Sequence, residues 1–395
     1  MQKLFVKKKI KVLMITGVYF PEKNGAVLQC MQLIRNVGGL VDFVIFAGAN
    51  NLESEGDCCV EGVAVTKIFI SRRSRSKYIF DIIRFYVCAM RKIKKVDLVH
   101  LHGFSRRNAI VVLLGRVLGK KIVLKMSSYG HDDPSSIKQF FPHFWWIFKC
   151  CHTYISLSPA FAMAYQKERL PESKYSFIPN GVDLVRFSPV SLDEKKILKL
   201  KYGFGGYESL LIFVGHFSPE KRPMIVYKAW IKLLQMNCNV GIIFIGRTTK
   251  NYYEVDEEIY DAIRADAQQR GVLSLISFIE ETSHIDDYMK MADIFVLPSV
   301  REGMPNALLE AMACALTCVA RRLPGVTDWL IDDGRTGLLV QSDDPDVWAQ
   351  KIRPYVENHL AQRQMGLAAR QFIADNFSCV TMSRKMVDLY RRTTG

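Results

Sequence analysis

Short apolar runs alternate with helix-forming stretches along the whole chain, and this alternation restricts the folds that are open to it. The runs of the first half are IKVLMITG, VDFVIFAG, VAVTKIFI, VDLVHLHG, KIVLKMSS, TYISLSP and YSFIPNG. The second half continues with SLLIFVGHF, VGIIFIG, LISFIE, DIFVLPS and LTCVARR. Strands rich in Val, Ile and Leu that are separated by helices predict parallel sheets covered by helices on both faces. Two series of runs predict two sheets, so the expected fold class is α/β with two domains.

A glycine-rich segment separates the two series. Gly203, Gly205 and Gly206 lie within residues 193–209, and they predict a flexible join. The predicted parts of the chain are a first domain at residues 1–190, a second domain at residues 191–375 and a final helical segment at residues 376–395. Because ligand sites of parallel α/β sheets lie at the carboxyl ends of the strands, a cleft between the two domains is the expected site.

The cysteines and the apolar runs indicate where the protein resides. Ten cysteines occur without a C-x-x-C pattern, and most lie in apolar runs, which is typical of reduced thiols in the cytoplasm. Residues 1–21 combine a basic start with an apolar run, but no small-residue cleavage site follows. We therefore interpret them as a first strand rather than a signal peptide. No apolar run approaches the roughly 20 residues of a membrane-spanning helix, so a cytoplasmic protein is expected.

The excess positive charge lies in the first half of the chain. Residues 1–190 hold 29 basic and 13 acidic residues, which leaves 25 basic and 26 acidic residues for the second half. Ten basic residues and a single acid, Asp81, lie within residues 67–95, around an aromatic-rich helical segment. An anionic membrane surface would attract this segment, although a solvated face over a core helix also explains it. The aromatic segment 137–149 leaves the same choice between membrane contact and core packing. No nucleic-acid-binding motif accompanies the charge, so nucleic acid is not an expected partner.

Two glutamates, Glu302 and Glu310, flank the start of a predicted helix. DIFVLPS is a predicted strand, VREGM a loop, and Pro305 the first position of a helix that continues with NALLEAMA. The backbone N–H groups of residues 304–307 and the positive end of the helix dipole suit an anion such as a diphosphate. Glu310 would lie roughly 7 to 8 Å beyond Pro305, so the two acids could bind hydroxyls of two sugars. The alternative is a solvated loop glutamate and a surface helix glutamate.

A second candidate group follows another predicted strand, in FVGHFSPEKRP. Gly215 would let the backbone approach a ligand, and Lys221, together with His216, could neutralise phosphate charge. Taken alone, this pattern also fits a solvated surface lysine. Neither G-x-G-x-x-G nor G-x-x-x-x-G-K-[ST] occurs in the chain, which disfavours a nicotinamide dehydrogenase and a P-loop NTPase.

Histidines are candidate general bases in the first half. His100 and His102 alternate onto one side of a predicted strand, with His102 nearer its carboxyl end, and His131 follows in YGHDDP. His102 or His131 could act as a general base or bind an acceptor hydroxyl, whereas His100 is interpreted as a core residue. No H-x-x-x-H pattern or cysteine cluster is present, so no metal site is predicted.

Four blocks of the sequence together resemble the retaining glycosyltransferases of family 4. They are FIPNGVDLVRFSP, FVGHFSPEKRP, ADIFVLPSVREGMPNALLEAMA and DDGRTGLLV, in the order and spacing of that family. The similarity extends over nearly the whole chain. It implies the GT-B architecture, in which two Rossmann-like parallel-sheet domains face each other across a cleft. It also implies that the final helix crosses back to the first domain.

The resemblance further implies roles for individual residues in binding a nucleotide-sugar donor. Glu302 would contact the donor sugar, Glu310 the ribose, and Lys221 the diphosphate. The loop and the first helical turn beside the diphosphate or the sugar would be Gly303, Met304, Pro305, Asn306 and Ala307. The remaining donor contacts would be Gly25, Gly215, His216 and, at the base, Phe278 and Ile279. His216 stands where the family has an arginine, and histidine is mostly uncharged at neutral pH.

The activity implied by the resemblance is sugar transfer with retention of anomeric configuration, without a metal or cofactor. Lys221 and the helix N-terminus would stabilise the negative charge that grows on the diphosphate as the glycosidic bond breaks. The donor would be UDP- or GDP-linked. The acceptor would be a saccharide or a lipid-linked saccharide at the inner face of a bacterial membrane, in surface-polysaccharide or glycolipid assembly. The alternatives are a catalytically silent scaffold that binds nucleotide-sugar or membrane, and a nucleotide-sugar epimerase of the same fold.

Overall fold

The chain forms two compact units. The computed structural model describes residues 9–22, 25–37, 39–71, 73–249 and 255–395. The first unit comprises the chain up to Gly181 together with Cys379–Gly395, and the second unit comprises Val182–Ser378. The sequence analysis placed the corresponding boundaries at 190 and 375. Residues after Gly181 join the second unit because Arg370 of that unit donates to the carbonyl oxygens of Leu184 and Phe187, at 3.0 and 2.7 Å.

The first unit carries one sheet and the helices around it. Its strands are β1 (Ile10–Thr16), β2 (Val41–Ala49), β3 (Gly56–Val60), β4 (Val63–Phe69), β5 (Leu98–His102), β6 (Lys121–Lys125), β7 (Thr153–Ser156) and β8 (Tyr175–Phe177). Its helices are α1 (Gly25–Val37), α2 (Arg75–Lys94), α3 (Arg106–Val117), α4 (Pro134–Phe140), α5 (Trp145–Phe148), α6 (Pro159–Lys167) and, at the end of the chain, α15 (Cys379–Thr394).

The strand order of this sheet is β3-β4-β2-β1-β5-β6-β7-β8. β3 pairs antiparallel with β4, and the other pairings within the described residues are parallel. The sequence analysis missed β3 because GDCCV is a short, exposed edge strand without an apolar run. The strand order reverses between β1 and β5. The loops after these two strands therefore diverge to opposite faces of the sheet, which is where α/β proteins bind ligands.

The second unit carries the other sheet. Its strands are β9 (Ser209–Val214), β10 (Val240–Ile245), β11 (Ile276–Ile279), β12 (Ile294–Leu297), β13 (Thr317–Arg321) and β14 (Leu338–Val340). Its helices are α7 (Leu192–Lys201), α8 (Pro223–Gln235), α9 (Glu257–Gln269), α10 (Ile285–Met291), α11 (Asn306–Ala313), α12 (Thr327–Leu330), α13 (Pro345–Glu357) and α14 (His359–Asn376). The strand order is β11-β10-β9-β12-β13-β14, and the pairings among the described residues are parallel. This is the 3-2-1-4-5-6 order of a Rossmann fold, with its switch point between β9 and β12. The predicted α/β fold with two parallel-sheet domains is confirmed.

The prediction of a flexible join at residues 193–209 was wrong, because α7 occupies half of this segment. Ser191 caps the helix: its hydroxyl accepts from the backbone N–H of Glu194, and the Glu194 carboxylate accepts from the backbone N–H of Ser191 at 2.9 Å. Gly203 follows the helix with φ +83°, a conformation that favours glycine. The glycine therefore ends a helix rather than loosening the chain.

A buried ion pair also anchors α7. Nζ of Lys195 and Nζ of Lys199 lie 2.6 and 3.0 Å from the carboxylate oxygens of Asp293, at the start of β12. Asp293 is 8 % exposed. Breaking such a buried pair typically costs about 3 to 5 kcal/mol, so α7 is an integral part of the second unit.

The last helix of the chain, α15, packs against α1 within the first unit. The Tyr390 hydroxyl of α15 lies 2.6 Å from Nδ1 of His100 on β5, and both residues are buried. The end of the chain therefore supplies part of the core of the first unit. His100 lies in this core, as the sequence analysis interpreted it.

The helices differ from membrane-spanning segments in length or in hydropathy. In the described part of the chain, none combines the length and the hydropathy that a bilayer-spanning segment requires. The ten cysteines are free thiols, of which Cys58 and Cys59 are exposed on β3.

α14 lies directly against the loop that follows α11. Ala315 ends α11 in the left-handed region, with φ +61°. Its carbonyl oxygen faces Gly366 of α14 so closely that a Cβ at this glycine would overlap it. Since α11 carries Glu310, this contact fixes the helix that bears a candidate site residue.

We expect Gly366→Ala to destabilise the protein by about 2 kcal/mol or more, because the new methyl group must displace backbone. An ordinary helical Gly→Ala change stabilises a helix by about 1 kcal/mol, so the expected sign is reversed. Urea unfolding followed by circular dichroism measures the free energy of unfolding. Gly206→Ala is the control, since a Cβ there meets no described atom within 4 Å. Equal or greater stability of Gly366→Ala would contradict the observed packing.

Candidate functional site

The strand order of the second unit places two loops side by side. β9 and β12 are neighbours, and residues 215–222 and 298–305 leave the carboxyl ends of these strands. The backbone N–H of Val300 donates to the carbonyl oxygen of Glu220 at 2.9 Å. The Arg301 guanidinium binds the Glu220 carboxylate with hydrogen bonds of 2.6, 2.7 and 3.0 Å. These contacts join the two loops at the switch point of the sheet.

Lys221 and Glu302 meet at the junction of these loops. Nζ of Lys221 lies 2.7 Å from Oε1 of Glu302. The Glu302 side chain is 9 % exposed and the Lys221 side chain 26 % exposed, so the lysine still reaches solvent. A Cβ at Gly215 would lie 3.7 Å from Cδ of Lys221, so the lysine side chain packs over this glycine. The structure therefore brings together three of the predicted site residues.

The helix after Glu302 begins one residue later than predicted. Asn306 is the first residue of α11, and Pro305 is its N-cap with φ −77° and ψ 99°. The Pro305 carbonyl accepts from the N–H groups of Leu308 and Leu309, at 3.1 and 3.3 Å. Proline has no N–H group, so the backbone N–H groups of this loop and first turn belong to Gly303, Met304, Asn306 and Ala307. The positive end of the helix dipole lies in the same loop as Glu302.

Glu310 is half-buried on α11, between the buried residues Leu309 and Ala311. Burial raises the pKa of the Glu310 carboxyl to about 7; Arg186 lowers this pKa and Asp286 raises it. At neutral pH the carboxyl is therefore partly protonated. It can donate as well as accept a hydrogen bond, which suits a sugar hydroxyl. The alternative interpretation of Glu310 as an exposed surface residue was wrong.

Arg186 is a residue near Glu310 that the sequence analysis missed. Nε and Nη2 of Arg186 donate to Oδ1 of Asp286 at 3.0 and 2.9 Å, and Nη2 also donates to the carbonyl oxygen of Ser283 at 2.9 Å. Arg186 and Asp286 both influence the pKa of Glu310. Their ion pair thus belongs to the surroundings of the candidate ribose contact. No local pattern indicated this, because Arg186 precedes the whole sheet of the second unit.

His216 follows β9 and is half-buried. Burial, followed by the charges of Arg247 and Lys221, lowers the pKa of the His216 imidazole to about 4. The ring is therefore uncharged at neutral pH. An uncharged ring does not neutralise phosphate charge, so this predicted role of His216 is not supported at neutral pH. Its place among the donor contacts stays a prediction.

Phe278 and Ile279 lie at the end of β11, beside β10. The Phe278 ring stacks on Phe244, with centroids 5.5 Å apart and planes at 16°, so this side chain packs in the core. The carbonyl oxygen of Ile279 accepts from the backbone N–H of Gly246 at 2.9 Å. These two residues, which are the predicted contacts of the base, thus lie at the carboxyl edge of the sheet.

The first unit places two predicted residues at its own switch point. Gly25 begins α1, the helix after β1, and His102 ends the neighbouring strand β5. His102 is buried, and Sγ of Cys30 lies 3.4 and 3.3 Å from its ring nitrogens. Burial, with the effects of His100 and Lys125, lowers the pKa of His102 well below its ordinary value. The imidazole is therefore uncharged at neutral pH.

His131 lies in an exposed turn after β6. The next residue, Asp132, is buried and accepts hydrogen bonds of 2.8 to 3.0 Å from the backbone N–H groups of Ser127 and Ser128. Burial raises the pKa of the Asp132 carboxyl to about 6. A Cβ at Gly103, directly after His102, would lie 3.1 Å from Oδ2 of Asp132. The end of β5 at His102 and the turn that carries His131 are therefore in contact. The Asp132 carboxyl, which was not predicted as a site residue, makes this contact.

Acidic side chains at the switch point of the second unit are paired with basic groups. Glu302 pairs with Lys221, and Glu220 pairs with Arg301. Within the described residues, no group of three or more His, Cys, Asp or Glu side chains is arranged to hold a metal ion. The carboxylates that surround the candidate site are thus held by cationic side chains of the protein itself.

Comparison with protein families finds a match on each unit. Residues 23–186 match the family described as Glycosyltransferase Family 4, and residues 194–372 match the family described as Glycosyl transferases group 1. The chain therefore carries a domain of each of these two families. The resemblance inferred from the four sequence blocks is confirmed.

Two curated relatives show how far this chain resembles known proteins. It is 31% identical over 232 residues to the alpha-maltose-1-phosphate synthase of Mycolicibacterium smegmatis, covering 57% of this chain and 59% of that protein. It is 28% identical over 220 residues to the UDP-Gal:alpha-D-GlcNAc-diphosphoundecaprenol alpha-1,3-galactosyltransferase of Escherichia coli, covering 55% of this chain and 54% of that protein. The chain spans about half the length of the curated relatives that it matches.

A solved structure with a similar fold is that of Anabaena Alr3699/HepE in complex with UDP and glucose. The TM-score is 0.78 at 15% identity, covering 97% of this chain and 100% of that chain. At this identity the similarity concerns the fold alone. The expected GT-B fold is confirmed.

Glu310→Gln should change how stability depends on pH. The folded-state pKa of about 7 lies above the ordinary value of 4.5, so the folded protein loses stability as the pH rises through this window. Gln does not ionise. We expect Glu310→Gln to match wild type near pH 4.5 and to exceed it at pH 8 by on the order of 2 kcal/mol, allowing for partial exposure.

Urea unfolding at several pH values measures this difference. Glu357→Gln is the control, because Glu357 is an exposed helix residue of the same unit, half of whose side chain is in contact with solvent. A constant difference between Glu310→Gln and wild type from pH 4.5 to pH 8 would show that Glu310 is not desolvated.

Proposed function

We propose that this protein transfers a sugar from a nucleotide-sugar donor to an acceptor hydroxyl, with retention of anomeric configuration and without a metal ion. The observation that carries the proposal is the contact of Lys221 with Glu302 at the switch point of the second unit. The matches of residues 23–186 and 194–372 to two glycosyltransferase families support the reaction class. The solved relative that contains UDP and glucose supports a UDP-linked donor, with GDP as the alternative.

The charges of the second unit account for departure of the nucleoside diphosphate. As the bond from the anomeric carbon to the diphosphate breaks, negative charge grows on the phosphate oxygens. Lys221 and the N-terminal end of α11 stabilise that charge. Once Lys221 contacts the phosphate, the Glu302 carboxylate accepts a hydrogen bond from a hydroxyl of the transferred sugar. Glu310 binds the ribose, while the backbone at Phe278 and Ile279 contacts the base.

Retention follows if the acceptor hydroxyl attacks the face from which the diphosphate leaves. The bond between the anomeric carbon and the acceptor oxygen forms as the bond to the diphosphate breaks. The proton of the acceptor hydroxyl passes to an oxygen of the departing diphosphate. No nucleophile from the protein is needed. In the first unit, Gly25 approaches the donor phosphates, and His102 and His131 are the proposed acceptor-side residues.

Thermal unfolding with a panel of UDP, GDP, ADP, CMP and their common sugar conjugates tests the donor site. We expect one nucleotide to stabilise the wild type, by about 2.7 kcal/mol at 100 times its dissociation constant. In Glu310→Ala the same nucleotide should bind about tenfold more weakly or worse, because hydrogen bonds to the ribose are lost. Glu357→Ala, which removes an exposed glutamate of the same unit, should respond like wild type.

Release of free nucleotide from the identified donor, with acceptor present and EDTA added, separates an enzyme from a silent scaffold. We expect wild type to turn over in EDTA and Lys221→Ala to lose at least about a hundredfold in rate, since a phosphate cation is removed. Stabilisation by the nucleotide without release would favour the scaffold. Stabilisation by none of the nucleotides would contradict the donor site itself.

We propose a lipid-linked saccharide at the inner face of a bacterial membrane as the acceptor, in surface-polysaccharide or glycolipid assembly. The name of the relative from Escherichia coli specifies a sugar linked to diphosphoundecaprenol. An enzyme with such an acceptor must reach a membrane surface. The surface of α2 supports this part of the proposal.

One face of α2 is buried and the opposite face is apolar and basic. The buried residues follow a spacing of four: Asp81, Phe85, Ala89 and Ile93. Asp81, the single acid of residues 67–95, accepts from the backbone N–H of Ser71 at 3.0 Å inside the unit. The exposed apolar residues of α2 are Tyr78, Ile79, Phe80, Ile83 and Val87. The face toward solvent therefore combines apolar side chains with exposed basic residues such as Lys77, Arg91 and Lys94, as membrane-surface helices do.

The aromatic segment 137–149 contributes both to the core and to the surface. Ile147 and Phe148 are buried, whereas Phe140 and Trp146 are 59 % and 55 % exposed. Core packing therefore explains part of this segment, and the two exposed aromatic rings are available for the proposed membrane contact.

Flotation with vesicles tests the membrane contact. We expect the protein to float with vesicles that contain phosphatidylglycerol and to stay behind with pure phosphatidylcholine, because the basic charge of α2 selects an anionic surface. Phe80→Ser with Ile83→Ser should weaken the partition at least about tenfold, since two apolar side chains no longer enter the bilayer. The control is Leu40→Ser with Leu52→Ser, two leucines of the same unit that are 52 % and 65 % exposed. Equal flotation with both kinds of vesicle, or flotation with neither, would contradict the proposal.

A further inference from the structure

The proposed reaction needs more positive charge at the donor diphosphate than Lys221 supplies. A phosphate group carries about −1.5 to −2 charge at neutral pH, so a departing diphosphate is strongly anionic. His216, at the position where the family has an arginine, is uncharged at neutral pH because burial lowers its pKa to about 4. A second cation is therefore to be sought among the residues that surround the end of β9.

The end of β10 lies directly beside the end of β9. The two strands are paired in register up to Val214 and Ile245. Beyond them, the N–H of Gly215 donates to the carbonyl of Ile245 at 2.9 Å, and the N–H of Phe217 donates to the carbonyl of Arg247 at 3.0 Å. Arg247 thus follows β10 at the level where His216 follows β9.

Gly246 explains how the two loops come so close. Its φ is +151°, and a Cβ at this position would overlap the carbonyl oxygen of Gly215 and lie 3.2 Å from the backbone nitrogen of His216. A glycine is required there for the loops to touch. The contact holds the backbone of Arg247 next to that of His216.

The electrostatics agree with this placement. Arg247 and Lys221 each lower the pKa of the His216 imidazole, so both cations act on the same place. The Arg247 side chain is 23 % exposed, and its Nη2 lies 3.7 Å from Oε2 of Glu281, whose side chain is 52 % exposed. This ion pair is long and partly solvated, and such pairs typically contribute about 0 to 1 kcal/mol.

Other arginines around the candidate site pair with other acids of the second unit. Arg301 lies 2.6 Å from the Glu220 carboxylate. Arg222 and Arg321 both pair with the Asp343 carboxylate at short range. The charges that lower the pKa of His216 are those of Arg247 and Lys221 and not those of these three arginines.

We propose that Arg247, from the carboxyl end of β10, provides the second cationic contact to the donor diphosphate in place of His216. The inference rests on the proposed function, because it requires a nucleoside diphosphate at the end of β9. A planar guanidinium can bind two phosphate oxygens at once, which an ammonium group or a neutral imidazole cannot do. Arg247 exchanges the Glu281 carboxylate for the diphosphate, as Lys221 exchanges Glu302.

Isothermal titration calorimetry with UDP, GDP and ADP at fixed ionic strength tests this assignment. For the nucleotide that binds wild type, we expect Arg247→Ala to raise the dissociation constant about tenfold or more, because a charge-assisted contact is lost. Arg247→Lys keeps the charge but not the planar guanidinium. Its dissociation constant should therefore lie between those of wild type and Arg247→Ala. Arg353→Ala is the matched control, since Arg353 pairs with Glu357 on the exposed face of α13 and should bind like wild type.

A double variant that combines Arg247→Ala with His216→Arg tests whether the loss of affinity is due to the lost charge. If Arg247 replaces the cation at position 216, an arginine at 216 should restore most of the affinity that Arg247→Ala loses. A loss that neither His216→Arg nor Arg247→Lys restores would overturn the proposal, because the damage would then be structural. Affinity of Arg247→Ala equal to wild type would overturn it too, while the donor site would stand. Failure of wild type to bind any of the three nucleotides would overturn the proposed function together with this inference.

Discussion

The buried carboxylate of Asp293 holds the second unit together at the point where its strand order reverses. It pairs with Lys195 and Lys199 of α7 and accepts from the backbone N–H of Leu210 on β9 at 2.9 Å. The backbone N–H of Asp293 donates to the carbonyl of Leu210, and its carbonyl accepts from the N–H of Thr317 on β13. Burial raises the pKa of this carboxyl, but the two lysines lower the pKa by a larger amount. The net shift of the pKa is downward, so the group stays ionised. The side chain and backbone of this one residue thereby tie α7, β9, β12 and β13 into a single arrangement.

The candidate donor site depends on this arrangement. Because β9 and β12 are neighbours, the loops after them carry Lys221 and Glu302 into a contact of 2.7 Å. Because β10 lies on the other side of β9, Arg247 reaches the same region. The cations of the site are each held by a carboxylate of the protein, so an incoming diphosphate replaces one anion by another. Exchange of this kind avoids leaving a desolvated charge without a partner.

Local sequence patterns predicted those parts of the structure that local interactions determine. Apolar runs with flanking turns located the buried strands, and the loop and helix around Glu302 were recognisable from a proline followed by helix-forming residues. The patterns failed where an element was too short or too polar to carry a signal. β3 lacks an apolar run, β14 has three residues, and α7 was hidden by the glycines that follow it. Arg186, Arg247 and Asp132 were missed because each acquires its significance from groups on other elements.

The sequence by itself determined the class of fold, the order of most of its buried strands, and the residues available for chemistry at the ends of those strands. Those features follow from hydrophobic periodicity and turn chemistry, which act over a few residues. The tertiary structure alone decided the electrostatic state of those residues. Glu310 has a pKa of about 7 and His216 a pKa of about 4 because each is desolvated by neighbours from other elements and sits beside their charges. Burial and long-range charge are properties of the packed chain, so no stretch of sequence specifies them before the strands take their places in the sheet.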